Sequence, residues 1–109
     1  MIGANLKSAF LEGTFLQGAN LEGANLEDTN MVVTILAKAN LQGANLGKAN
    51  LELALLKEAN LQAAHLEKAN LYRARLEGAD LRHTYLDDAI MPDGKKYNSE
   101  IHSIESLTA

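Results

Sequence analysis

Large hydrophobic residues recur along this chain with a period of five and no slip. Positions 6, 11, 16 and onward to 91 hold Leu at sixteen places and Met at two, Met31 and Met91, with Met1 in the same register. Two residues before each stands a small residue, Ala at fourteen positions and Thr at four (Thr14, Thr29, Thr34 and Thr84). The residue between is Asn or Asp at ten of the eighteen, so the unit in its plainest form is Ala19-Asn20-Leu21-Glu22-Gly23. On an α-helix five residues advance about 500°, so successive Leu would step round the cylinder by roughly 140° and never form a stripe. On a continuous strand an odd period would throw successive Leu onto opposite faces. A short extended piece plus a corner fits: Ala inward, Asn outward, Leu inward, then two outward residues that turn the chain. Each pentad is then one side of a coil.

A longer period at the outward positions sets the number of sides. At a spacing of twenty, positions 20, 40, 60 and 80 read Asn, Asn, Asn, Asp, positions 15, 35 and 55 read Phe, Ile, Leu, and positions 5, 25 and 45 are all Asn. The spacing predicts four pentads per coil, about 4.5 coils in all, and at a strand spacing of about 4.8 Å a square rod roughly 20 Å long. Gly13, Gly18, Gly23, Gly43 and Gly78 fall at the last position of the pentad, where corners need a permissive backbone. Stacked Asn are expected to form amide ladders between coils.

The A-N-L-x-x pattern, as in Ala39-Asn40-Leu41-Gln42-Gly43 and Ala44-Asn45-Leu46-Gly47-Lys48, resembles the pentapeptide-repeat family, and the match runs from residue 3 to residue 92. The resemblance implies an all-β solenoid, specifically a right-handed quadrilateral β-helix, and a member of the small cyanobacterial type. The hand comes from the resemblance and not from the spacing. Residues 1–92 are expected to form the β-helix and residues 93–109 a turn and a short capping helix.

Pro92-Asp93-Gly94 ends the repeat with a turn. Beyond it, Asn98 or Ser99 offers an N-cap, and Ile101, Ile104 and Leu107 lie on one stripe of a short helix expected to cover Leu86 and Met91 at the end of the stack. No such segment stands at the other end. The first coil is therefore expected to be bare, with end-to-end self-association or preceding chain there.

Four Leu and four small residues per coil fill the interior, so no enclosed pocket, no cofactor and no catalytic residue is expected. His65 and His83 fall on neighbouring outward columns near Glu67 and Asp87, but they lack the fixed spacing of a zinc site or facial triad, so no metal is assigned to them. His102 has no evident partner. No nucleophile elbow, phosphate loop or H-E-x-x-H motif is present.

The 109 residues include 10 Lys plus Arg and 14 Asp plus Glu, a net charge of -4, which argues against a nucleic-acid binder. There is no Cys, so disulfides, thiol catalysis and thiolate metal sites are excluded. No leader pattern and no apolar run long enough to cross a membrane is found, and the cytoplasm is the expected compartment.

One departure from the polar exterior stands out. Val32, Val33, Ile35, Leu53 and Leu55 interrupt it together, with Phe15 below in the same column, Phe10 one side away, and Arg73 and Arg75 above. Two readings stand: an interface for self-association or a protein partner, or a surface covered by the chain's own tail. Adjacency in sequence favours the tail over the end of the stack. The expected function is thus a non-enzymatic interaction module, a rigid rod forming a homodimer through this side patch or the bare N-terminal coil, or binding another protein.

The family resemblance adds an alternative, a DNA-mimic inhibitor of DNA gyrase of the quinolone-protection type. Length and charge weigh against it. B-DNA carries about one charge per 1.7 Å, about twelve over such a rod. Residues 3–92 hold 8 Lys plus Arg against 11 Asp plus Glu, a net of -3.

Overall fold

The computed structural model describes residues 1–109. Its repeat unit is a β-turn. The N–H of each small residue except Thr29 donates to the carbonyl of the large residue three positions earlier, as from Ala24 to Leu21 O at 3.0 Å. The third residue of every such turn, from Gly3 to Asp88, has φ near +60°, the sign a type II turn demands. Glycine suits that position, yet twelve non-glycine residues adopt it, among them Val33, Lys38 and Leu53. Coil stacking therefore imposes the corner whatever residue stands there.

The Asn between the two inward residues closes the corner from outside. Asn20 Oδ1 accepts from the Glu22 N–H at 3.2 Å, Asn45 Oδ1 from Gly47 at 3.0 Å and Asn70 Oδ1 from Tyr72 at 2.9 Å. Asp80 does the same with Arg82 at 3.1 Å. These are Asx-turn bonds. The amide oxygen is engaged by its own corner, so this bond, and not the expected ladder between coils, accounts for the frequency of Asn.

Coils are joined by backbone. Isolated parallel bridges pair each central residue with the one twenty positions on, as in Asn5 with Asn25, Phe15 with Ile35 and Ile35 with Leu55. Around each bridge the hydrogen bonds alternate upward and downward: Leu26 N–H donates to Asn45 O at 2.7 Å, and Asn45 N–H to Ala24 O at 2.9 Å. The coil is thus twenty residues, four pentads. The molecule measures 35 × 22 × 21 Å, and the near-equal short axes are what a square section gives.

Inside, the inward Leu of each pentad from Leu21 to Leu66, together with Met31 and Met91, is fully buried. Each buried Leu contributes roughly 1.5–3 kcal/mol relative to exposure. Thr in the small position carries a hydroxyl into this core, which a backbone carbonyl satisfies: Thr29 Oγ1 donates to Leu26 O of its own turn at 2.7 Å, and Thr34 Oγ1 to Leu11 O of the preceding coil at 2.8 Å. Leu6, Leu11 and Leu16 of the first coil are only partly buried.

After Met91 the chain reverses at Pro92-Asp93-Gly94. Met91 N–H donates to Lys95 O at 2.8 Å, and Ile90 bridges Lys96 antiparallel. The only helix, α1, is Ile104–Leu107, with Ser103 rather than Asn98 or Ser99 as its N-cap. The reason for the late start is His102, 95% buried, whose ring holds the preceding turn. Asn98 N–H donates to its Nδ1 at 3.0 Å, which leaves the ring proton on Nε2 to donate to Asp93 Oδ2 at 2.9 Å. Of the three residues expected to form the cap, Leu107 packs against the core, together with Tyr97. Ile101 and Ile104 do not: they are 56% and 43% exposed, because only one turn of helix forms and its stripe is too short to bring all three inward.

Candidate interaction surface

Each coil has four sides, and the side centred on Phe15, Ile35, Leu55 and Arg75 collects the apolar exceptions. Phe15 is 72% exposed, Leu55 38%, Val33 46% and Leu53 42%, while Ile35 and Val32 are half-buried. The six expected interface residues are therefore brought onto one face and its leading corner. Phe10, 88% exposed, lies on the adjoining side. The chain's tail does not cover the face. Its last turn ends at the top of the stack, where Gly78 N–H donates to Thr108 O at 2.9 Å.

Charge borders the apolar rows. The Arg73 guanidinium lies over the Tyr72 ring, 5.2 Å from its centroid. Arg75 Nη2 pairs with Glu77 Oε2 at 2.8 Å, and the two side-chain hydrogen bonds from its Nε hold the Glu77 carboxyl below the usual carboxylate range. Lys38 and Glu58 are exposed at equivalent corners of the second and third coils.

The histidines go elsewhere. His65 stacks on Tyr85 one coil above, ring centroids 4.5 Å apart at 6°, and its Nδ1 lies 3.4 Å from Glu67 Oε2. His83 occupies a corner with φ 62°. No group of three His, Asp or Glu is arranged to hold a metal ion. His65 instead borders an open groove of about 580 Å³ with Glu27, Asn45, Gly47, Lys48 and Glu67, lined by no hydrophobic residue. Gly47 makes this notch, since a Cβ there would come within 3.2 Å of Asn45 Oδ1. Sequence reading missed the groove, although the Glu27, Gly47, Glu67 column is visible once the chain is written at twenty residues per line. It also missed the Tyr97 and His102 cap, for which the sequence carries no periodic signal.

Four pentads make each coil, the interior is filled, and the exposed apolar side chains gather mainly on one side. Pentapeptide repeats match residues 1–36, 34–71 and 54–91 in 8 copies, and the chain belongs to that family. It is similar to the pentapeptide repeat protein Rfr23 from the cyanobacterium Cyanothece 51142, with 40% identity and a TM-score of 0.77 over 78% of this chain and 58% of that one. It is similar also to a pentapeptide repeat protein of the Arabidopsis thaliana thylakoid lumen, with 28% identity and a TM-score of 0.78 over 82% of this chain and 62% of that one. A third, from Nostoc PCC 7120, shares the fold at 24% identity and a TM-score of 0.57, covering 95% of this chain and 82% of that one. The chain spans about three fifths of the length of the first two. A comparison with curated proteins finds no match. No helix is long and apolar enough to cross a membrane.

Proposed function

We propose that this chain is a right-handed quadrilateral β-helix serving as a non-enzymatic interaction module, with the Phe15 face as its working surface. The observation that supports it is the state of Val33 and Leu53. Both combine an exposed apolar side chain with a left-handed backbone. A non-glycine residue in that region costs about 1–2 kcal/mol, and most of all a β-branched one. Neither feature helps the rod to fold, and Gly or Asn would serve the corner better. Apolar residues kept where folding does not need them are the mark of a contact surface.

The gyrase-inhibitor alternative is weaker. B-DNA of the molecule's 35 Å length carries about twenty charges, against a net of -4 here. Its cations also pair off much of the acid, as Lys7 does with Glu27 and Arg82 with Asp80. Inhibition of gyrase supercoiling at low micromolar protein would reverse this ordering.

The working-surface reading is tested by photocrosslinking in cells, with a benzophenone amino acid at position 53 and, as control, at the exposed corner residue Gln42 away from the face. Adducts from position 53 alone are the expected result. None, or equal yields from both positions, would sink the assignment.

A further inference from the structure

With the Phe15 face taken as the working surface, we propose that its occupant is a second copy of this chain, lying antiparallel about a two-fold axis between the Ile35 and Leu55 rows. The argument is one of register. A two-fold axis in the interface and perpendicular to the rod reverses the order of the coils but leaves each column opposite itself. The four rows of the face then pair first with fourth and second with third. In the centre Ile35 meets the partner's Leu55, and Val33 meets the partner's Leu53, so the apolar rows cover one another. At the outer rows Phe15 meets the partner's Arg75, a cation over a ring face. Gly13 meets the partner's Arg73, where the absent side chain leaves room for the long one.

The rim agrees. Lys38 faces the partner's Glu58 and, by symmetry, Glu58 faces the partner's Lys38, two ion pairs flanking the apolar centre. Gln17 faces the partner's Glu77, an amide donor against a carboxylate. An apolar centre enclosed by paired polar groups is the anatomy of a specific interface. A parallel pair, its axis along the rod, sets every row against itself. Arg75 would then confront the partner's Arg75, and both ion pairs would be lost.

Area limits the strength. Four coils at about 4.8 Å are roughly 19 Å tall, and with a side of about 20 Å the face offers roughly 400 Å² to each partner, near half of what a standard stable complex buries. The dimer is therefore weak and exchanging, and it forms at high local concentration.

The chain has no Cys, so Phe15→Cys and Arg75→Cys proteins each carry a single thiol. Mixed under mild oxidation they form a 15–75 disulfide heterodimer, while either alone does not, because like positions lie about three coils, or ~14 Å, apart. In the mixed pair the second contact, between an intact Phe15 and an intact Arg75, survives. Sedimentation equilibrium from ~5 µM to ~1 mM should show the mass rising toward twice the monomer. Ile35→Glu should raise the dissociation constant by about tenfold or more. Lys38→Glu should weaken the dimer, and Glu58→Lys in the same chain should restore it. A monomer throughout, or a 15–15 disulfide from Phe15→Cys alone, overturns the proposal. If the protein stays monomeric but position 53 crosslinks to a different protein in cells, self-pairing is overturned and the broader assignment of the face survives.

Discussion

Val33 and Leu53 stand one above the other on successive coils, at φ 59° and 61°, each with an exposed apolar side chain on a corner that favours glycine. The pairing separates two requirements that usually coincide. The core residues serve folding, whereas these two sit where folding gains little from them.

Replacing Val33 by Gly relieves the left-handed strain and adds freedom to the unfolded chain, about 1–2 kcal/mol against 0.5–1 kcal/mol, with some lost contact besides. The expected net change in urea denaturation is between zero and about 1 kcal/mol in the stabilising direction. A loss of about 2 kcal/mol or more would show that Val33 is held by packing, and the functional reading of that corner would fall.

Depth in the stack should grade the cost of core truncation. Leu46 is fully buried and Leu6 only partly so. Leu46→Ala should cost about 3–5 kcal/mol and Leu6→Ala about half of that or less, measured by thermal and chemical unfolding. Equal costs would mean that the first coil is as closed as the middle ones.

Asn50 distinguishes the local role of asparagine from a ladder. Its Oδ1 accepts from the Glu52 N–H at 3.1 Å. Asn50→Asp keeps that acceptor and should change stability by less than about 0.5 kcal/mol, while Asn50→Ala should cost about 1 kcal/mol. If Asp proves as costly as Ala, amide contacts between Asn30, Asn50 and Asn70 matter after all.

The C-terminal cap should loosen in acid. The Lys95 backbone N–H, and beside it the His102 ring, hold the Asp93 carboxyl below the ordinary carboxylate range, although partial desolvation opposes them. A depressed folded-state value stabilises above the unfolded value, near 3.9, and that stabilisation is lost as pH falls through the folded value. Protection of the Tyr97 amide, whose N–H donates to Ala89 O at 2.7 Å, relative to its intrinsic exchange rate, should therefore fall below about pH 4. Asp93→Asn should exchange faster at neutral pH and show a flatter acid limb. An unchanged acid limb in Asp93→Asn would remove this carboxylate from the cap.

Much of the molecule is written in its spacing. Leu and Ala at period five are enough to reject helix and flat strand, because only a corner every five residues puts both inside. The recurrence of Phe15, Ile35 and Leu55 at twenty gives the coil size, and with it the apolar face, since stacked positions must share a side. The tail is different. Ile101, Ile104 and Leu107 have helical spacing, yet the helix starts only after Ser103, because the buried His102 commits the preceding residues to a turn around Asp93 and Asn98. A single imidazole joined to residues four and nine positions earlier leaves no period to read.

The sequence by itself determined the pentad, the four-sided coil, the filled interior and the side on which apolar residues gather, because a repeat makes every local preference act many times in the same direction. The tertiary structure decided what occurs once. It fixed which tail residues close the stack, that Asn oxygens serve their own corners, and that twelve non-glycine residues accept a left-handed backbone. At those corners hydrogen bonds to the next coil, as from the Val33 N–H to Glu52 O at 3.0 Å, outweigh the preference of the individual residue, and they exist only after the coils have stacked.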